Sequence, residues 1–355
     1  MRTVSTSPHL HSGADTQKIM LYVVYALLPS CAWGVFVFGL RAALVLAVSL
    51  AAAVLTEYLL DLVSRESTLW DCSAIVTGLL VGMNMPPAIE LYIPAIASVF
   101  AIAVVKWTFG GLGANWANPA MAGRVFVFFS FTSQMSTFSL PRTIKAVEVA
   151  SQASPLSLVK TVASSGQSVG RLTSMQILAQ QGVATSSFAD RVQAATGISA
   201  YNVDAFFGNI PGCIGEVSKL LLILGGIYLL MKKVITWHIP VSFIGSFAAL
   251  TWVFGGLPLG LGFFHGEVLA SILRGGLILG AFFMATDMVT SPVTHKGMLV
   301  FGCGCGAFTF LFRTFGSLPE ATSVAILLMN IVTPTIDRFM KPRLFGEVKK
   351  GGAQG

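Results

Sequence analysis

The stretch KWTFGGLGANWANPAMAGR, Lys106 to Arg124, decides how this chain is built. It stands between two apolar blocks, yet it holds Gly110, Gly111, Gly113, Asn115, Asn118 and Pro119. Glycine and proline both weaken a helix interior, and an amide group at membrane depth needs a partner or a ligand. The stretch therefore reads as a break, where one helix stops inside an apolar layer and another starts. Asn115 and Asn118, three apart, lie on one side of a turn and are candidates to offer amide donors and acceptors to a planar polar heterocycle. They also suit a plainer role, capping the next helix, since Asn before Pro119 is a common helix start. Spacing alone leaves both readings open.

Working outward, the apolar layer is the chain itself. Of 355 residues, 54% are hydrophobic and 10% charged, with a mean hydropathy of +0.78. Soluble domains carry about 25% charged residues, so this is an integral membrane protein with lipid around it. A spanning helix takes about 20 apolar residues. Ten segments approach that measure: 19–39, 41–63, 72–86, 91–109, 119–133, 215–231, 236–254, 266–285, 297–313 and 320–336. The polar start of the chain has no cleavable signal pattern, so the first helix is expected to be retained.

A second break matches the first. In FMATDMVTSPVTHKG, Phe283 to Gly297, small polar residues and a proline again interrupt apolar text, and VGMNMPP ends the third segment in the same manner. Interrupted segments in corresponding halves mark broken helices around a central site. Five crossings precede the polar insert and five follow it, and an odd number reverses direction. The expected fold is an all-α polytopic membrane protein in two inverted five-helix halves. The expected organisation is an N-terminal segment 1–18, a first half 19–133, an outer polar loop 134–214, a second half 215–336 and a basic tail 337–355. Lys232, Lys233 and the basic residues of the tail place both termini in the cytoplasm by the positive-inside rule, in a multi-pass cell (inner) membrane protein.

The net charge of +7 sits at segment ends and in the tail, which argues for topology and against nucleic acid. No nucleophile elbow, HExxH, P-loop or dinucleotide fingerprint is present, so no catalytic residue is assigned. No metal site is assigned either: the cysteines lack ligand spacing, and GCGCG, Gly302 to Gly306, reads as close helix packing. Asp287 is a candidate for ion coupling, for a ligand contact or for capping a half-helix. Glu57 and Arg124 are expected near helix ends, partly solvated or anchoring, and Asp71 as the cap of the third segment.

Taken together, STSPHLHSGADTQKIM, WDCSAIVTGLLVGMNMPP, KWTFGGLGANWANPAMAGR, DAFFGNIPGCIGEVSKLLLILGGIYLL and FMATDMVTSPVTHKG resemble the successive signatures of the NqrB/RnfD family, most closely its RnfD branch. The resemblance runs from about Ser5 to Phe345. It implies a membrane subunit of an ion-translocating oxidoreductase complex. Such a complex couples electron transfer between a low-potential carrier, ferredoxin or flavodoxin, and NAD to Na⁺ or H⁺ movement. It also implies partner subunits, FMN joined by a phosphoester to an outer-side Thr or Ser with the help of a flavin transferase, and in some members a noncovalent riboflavin at the asparagine turn, here Asn115 and Asn118.

The family's attachment pattern, D-x-x-[ST]-G-A-[ST], aligns with Glu148 to Ser154, making Ser154 the expected acceptor. Ser154 keeps the hydroxyl that attacks the flavin pyrophosphate, and Glu148 keeps the charge. Gln152 departs from a glycine. Two rival readings differ in class: a non-redox channel or secondary transporter of inverted-repeat type, which leaves the polar insert unexplained, and a structural subunit whose flavin site is degenerate, for which Gln152 is the argument.

Overall fold

The computed structural model describes residues 15–64, 68–142, 173, 176–178, 185–316 and 321–341, and among these every regular element is helical. Two long helices open the chain, α1 (Thr16–Phe38) and α2 (Leu40–Ser64), joined at Gly39, whose φ of 84° only glycine adopts without strain. The next helix, α3 (Ser73–Met83), is short, and α4 (Tyr92–Phe109) is long, with a π-helical stretch at Phe100–Lys106. After the opening glycine-rich break comes α5 (Pro119–Ser130). The connection that follows contains α6 (Ser187–Thr196) and α7 (Ala200–Phe207). The second half comprises α8 (Lys219–Met231), α9 (His238–Phe254), a broken α10, α11 (His295–Thr314) and α12 (Thr322–Phe339). The broken helix runs Val268–Leu273, then Leu277–Leu279, then a π-helical turn Gly280–Met284.

Each of the ten apolar segments read from the sequence corresponds to one of these helices, and five of the helices are long and apolar enough to cross a membrane unaided. Most boundaries shift by a few residues, and two of the shifts have a local cause. The third helix ends at Met83 rather than 86, because Pro86 and Pro87 donate no N–H and push their predecessors out of the helical region. The sixth starts at Lys219 rather than 215, after a 3₁₀ turn at Ile214–Glu216.

Burial along α2 shows which solvent surrounds it. Leu59 and Leu62 are 52% and 60% exposed, while Glu57 on the same helix is 3% exposed. A helix in water would put its carboxylate outside and its leucines inside. Here the apolar side faces outward, as lipid requires, and polar groups turn inward to find partners.

Contacts between helices reveal the repeat. Going along α2 and α4, Arg41 meets Glu90 at 3.9 Å, Ser49 meets Ser98 at 3.1 Å and Glu57 meets Lys106 at 2.5 Å. The two helices therefore run parallel, with α3 against them through Ser49 Oγ donating to the Gly78 carbonyl at 2.7 Å. In the second half α9 and α11 are also parallel. His238 stacks on His295, Gly302 lies on Ser242 and Gly306 on Ser246. A Cβ added to Gly302 or Gly306 would stand 1.9 or 2.0 Å from those serine Oγ atoms, so the outer two glycines of GCGCG are what lets these helices approach. The pair α2/α4 ends, and the pair α9/α11 begins, on the side where α1 starts. The halves are inverted.

Candidate functional site

Both breaks come to the same place. A cavity of about 250 Å³ is lined by Asn115, Asn118, Thr286 and Asp287, with Thr16 of α1, Ser73 and Thr77 of α3 and Lys106 of α4 completing its polar wall. The rest is apolar, including Ile19, Met20 and Val23 at the start of α1. Such a cavity, apolar with a few convergent polar groups, is how small-molecule sites are built, and its size lies just below their usual range of about 300–1,000 Å³.

Asn118 does two jobs. Its Oδ1 accepts from the N–H groups of Ala120 at 3.0 Å and Met121 at 3.2 Å, capping α5 with Pro119 in the first turn. A cap of this kind contributes about 1 kcal/mol. Its Nδ2 donates to the Met284 carbonyl at 3.2 Å, across the boundary between the halves. That carbonyl is free because the π-helical turn at Gly280–Met284 shifts the ladder out of α-helical register. Asn115 has no such duty: it is 8% exposed and its Oδ1 is buried without a hydrogen-bond partner. A buried acceptor left unsatisfied costs about 1–3 kcal/mol, and here it belongs to a residue lining a cavity.

Asp287 lies in the connection between the π-helical turn and α11. It accepts from Val289 N–H at 3.5 Å and from Thr290 Oγ1 at 3.1 Å. It therefore closes a turn at the cavity wall rather than capping a half-helix; the following helix is capped by Thr294. Asp71, expected as the cap of α3, stands one residue before it: the N-cap is Cys72 in a left-handed conformation, and Asp71 holds the helix start from there, its Oδ1 accepting from Ser73 N–H at 2.7 Å. Ser154 lies outside the described residues.

Two charged residues are corrected by the structure. Glu57, expected to be partly solvated, is buried and paired with Lys106. The pair arises because the π-helical stretch in α4 carries Lys106 inward while α2 presents Glu57 on its protein-facing side. Lys106 also donates to Ser73 Oγ at 2.5 Å, and Thr68 Oγ1 lies 2.9 Å from Glu57 and 2.7 Å from Asp61. Arg124, expected to anchor a helix end, is instead 3% exposed in the middle of α5. It donates to Ser323 Oγ at 2.6 Å and sits 3.8 Å from Glu216, tying the two halves together. Both pairs join residues far apart in sequence, yet each had one legible sign. An ionisable group inside an apolar run needs an opposite partner somewhere.

Comparison with known proteins agrees with this architecture. The chain is 42% identical over 345 residues to the D subunit of a proton-translocating ferredoxin:NAD(+) oxidoreductase complex from Clostridium ljungdahlii, covering 97% of this chain and 96% of the relative. It is 38% identical over 351 residues to the D subunit of a Na(+)-translocating ferredoxin:NAD(+) oxidoreductase complex from Acetobacterium woodii, covering 98% and 96%. The D subunit of an ion-translocating oxidoreductase complex from Stutzerimonas stutzeri is 36% identical over 95% of this chain and 94% of its own. Since the profile of the NQR2, RnfD, RnfE family also matches residues 3–346, this chain belongs to that family.

Proposed function

We propose that this chain is the D subunit of an Rnf-type membrane complex, in which electron transfer between a low-potential carrier such as ferredoxin and NAD is coupled to Na⁺ or H⁺ translocation. The observation that carries this role is similarity over nearly the whole chain to two proteins named for that reaction. One is named for protons and the other for sodium, so the ion itself is to be read from uptake measurements. The chain works as part of the complex, with the other Rnf subunits and membrane lipid as its surroundings.

Within that role the protein carries flavin. FMN is attached through its phosphate to Ser154 by a flavin transferase, on the outer face of a membrane whose inner face holds both termini. A second, noncovalent flavin, riboflavin in type, occupies the cavity. The residues there fit such a group: Asn115 offers an unsatisfied acceptor, Lys106 and Thr77 offer donors, and most of the remaining wall is apolar. When bound, the flavin supplies the redox chemistry. The chain's own residues position the ring, exclude water from it and set the charge around it. Asp287 is the proposed ion-coupling group, since it brings a carboxylate to the same wall.

Purified chain, co-expressed with a flavin transferase, tests the covalent part. A fluorescent band is expected on a denaturing gel, absent in Ser154→Ala and present in Ser154→Thr. A band that persists in Ser154→Ala moves the attachment elsewhere, and no band in the unaltered chain favours a protein whose attachment site is degenerate.

A further inference from the structure

The groups behind the cavity wall continue beyond it. Lys106 carries three N–H donors, of which one goes to Glu57 Oε1 at 2.5 Å and one to Ser73 Oγ at 2.5 Å, while the residue itself lines the cavity. From Glu57 the chain of hydrogen bonds passes to Thr68 Oγ1 at 2.9 Å and from there to Asp61 Oδ1 at 2.7 Å. From Ser73 it passes to Asp71 Oδ1 at 2.5 Å. Glu57 and Lys106 are almost fully buried, Asp61 reaches 9% exposure, and the neighbouring Trp70 is 76% exposed. Two arms thus lead from one ammonium at the cavity to two carboxylates nearer the protein surface, Asp61 still buried and Asp71 partly exposed, on the side where α1 starts. The other carboxylate at the cavity, Asp287, lies on the wall contributed by the second half and has no hydrogen bond to either arm among those of the described residues.

We propose that Lys106, with Glu57–Thr68–Asp61 and Ser73–Asp71 behind it, is a proton path between the cavity and water on the side of the N-terminus. The inference rests on the reading of the cavity as a flavin site. In the step it serves, the flavin takes two electrons originating from reduced ferredoxin and one proton. An N–H bond of Lys106 breaks as the bond from that proton to the ring forms. Lys106 regains that proton through one arm. A proton from water lands on the Asp61 carboxylate and shifts through the Thr68 hydroxyl to Glu57 and on to Lys106, or lands on the Asp71 carboxylate and shifts through the Ser73 hydroxyl to Lys106. Each carboxylate is left ionised as it began. One water-derived proton moves inward per electron pair, and the relay ends as it began. The arrangement suits this use better than a purely structural one. Glu57 Oε2 is buried without a partner, so the carboxylate has capacity for a proton that its ion pair does not consume.

The test uses the assembled complex, with flavin reduction by dithionite followed by stopped-flow absorbance in H₂O and D₂O. Thr68→Val cuts one arm, Ser73→Ala the other, and the double variant cuts both while the Lys106–Glu57 pair stays in place. The expected result is that reduction of the noncovalent flavin slows in the double variant by roughly a hundredfold, the low end of what a positioned proton-transfer group supplies. The single variants fall between, and Thr68→Ser restores its arm. Infrared difference spectra, reduced minus oxidised, are expected to carry a carboxylic acid band that disappears in Glu57→Gln. Bound flavin that is reduced at the unaltered rate in the double variant, with the band unchanged in Glu57→Gln, overturns the path alone. Absence of releasable flavin from the unaltered complex overturns the flavin reading and the path with it.

Discussion

Asn118 and Asn115 sit three residues apart on one turn, and the structure predicts opposite consequences for their loss. Asn118→Ala removes the acceptor for Ala120 and Met121 N–H and the donor to the Met284 carbonyl. Loss of the cap costs about 1 kcal/mol, and the orphaned carbonyl about 1–3 kcal/mol more. The sum, about 2–4 kcal/mol, corresponds to a fall in Tm of roughly 4–16 °C at the sensitivity of domains of a few hundred residues. Asn115→Ala removes an Oδ1 that bonds nothing, so Tm is expected not to fall. Its effect falls on the ligand: one hydrogen bond of about 0.5–1.5 kcal/mol is a roughly threefold to tenfold loss of affinity. Both quantities are measurable on purified protein, Tm by thermal unfolding in detergent and occupancy by the flavin released on denaturation, which leaves covalent FMN behind. Equal destabilisation by the two variants, or unchanged flavin release from Asn115→Ala, refutes this division of labour.

The remaining predictions concern other parts of the frame. Gly306→Ala is expected to lower Tm sharply, because its Cβ meets Ser246 Oγ at 2.0 Å and the Phe243 carbonyl at 2.6 Å, whereas Gly304→Ala meets only the flexible end of Met329 and is tolerated better. Asp287→Asn is expected to reduce redox-driven ion uptake in vesicles without releasing flavin; full uptake in this variant removes Asp287 from the coupling. In the connection between α5 and α8, burial pushes the Asp204 carboxyl above the usual carboxylate range, opposed by hydrogen bonds from Ser186. The folded unit therefore holds a proton more tightly than the unfolded one. Its stabilisation is complete below the usual carboxylate range and is lost as pH rises through the raised value. Hydrogen exchange of α6 and α7, corrected for intrinsic rates, is expected to speed up across that window, and the dependence to flatten in Asp204→Asn.

What could be read in the sequence follows from the range of each interaction. The Asn118 cap was legible because its cue, Pro119, is the next residue and its partners are two and three residues on. The ten segments were legible because lipid imposes length and apolarity on each separately. The Lys106–Glu57 pair spans 49 residues, and a Glu close to the end of its helix looks solvated until another helix is known to cover it. The same holds for Arg124, whose partner Glu216 comes from the other half. Whether Asn115 offers its amide to a ligand or serves the helix start depends on where α1, α4 and the broken helix leave a cavity, so the sequence left both readings standing.

The contact among Arg124, Glu216 and Ser323 bears on how ions get across. A rocker or elevator cycle needs the two inverted halves to slide past one another, and this contact lies on the plane of sliding. Separating Arg124 from Glu216 strands a charge away from water, at about 3–5 kcal/mol for a buried pair broken on one side. The frame behaves as if bolted at its centre. A swing of one half of this chain against the other would first have to break this contact.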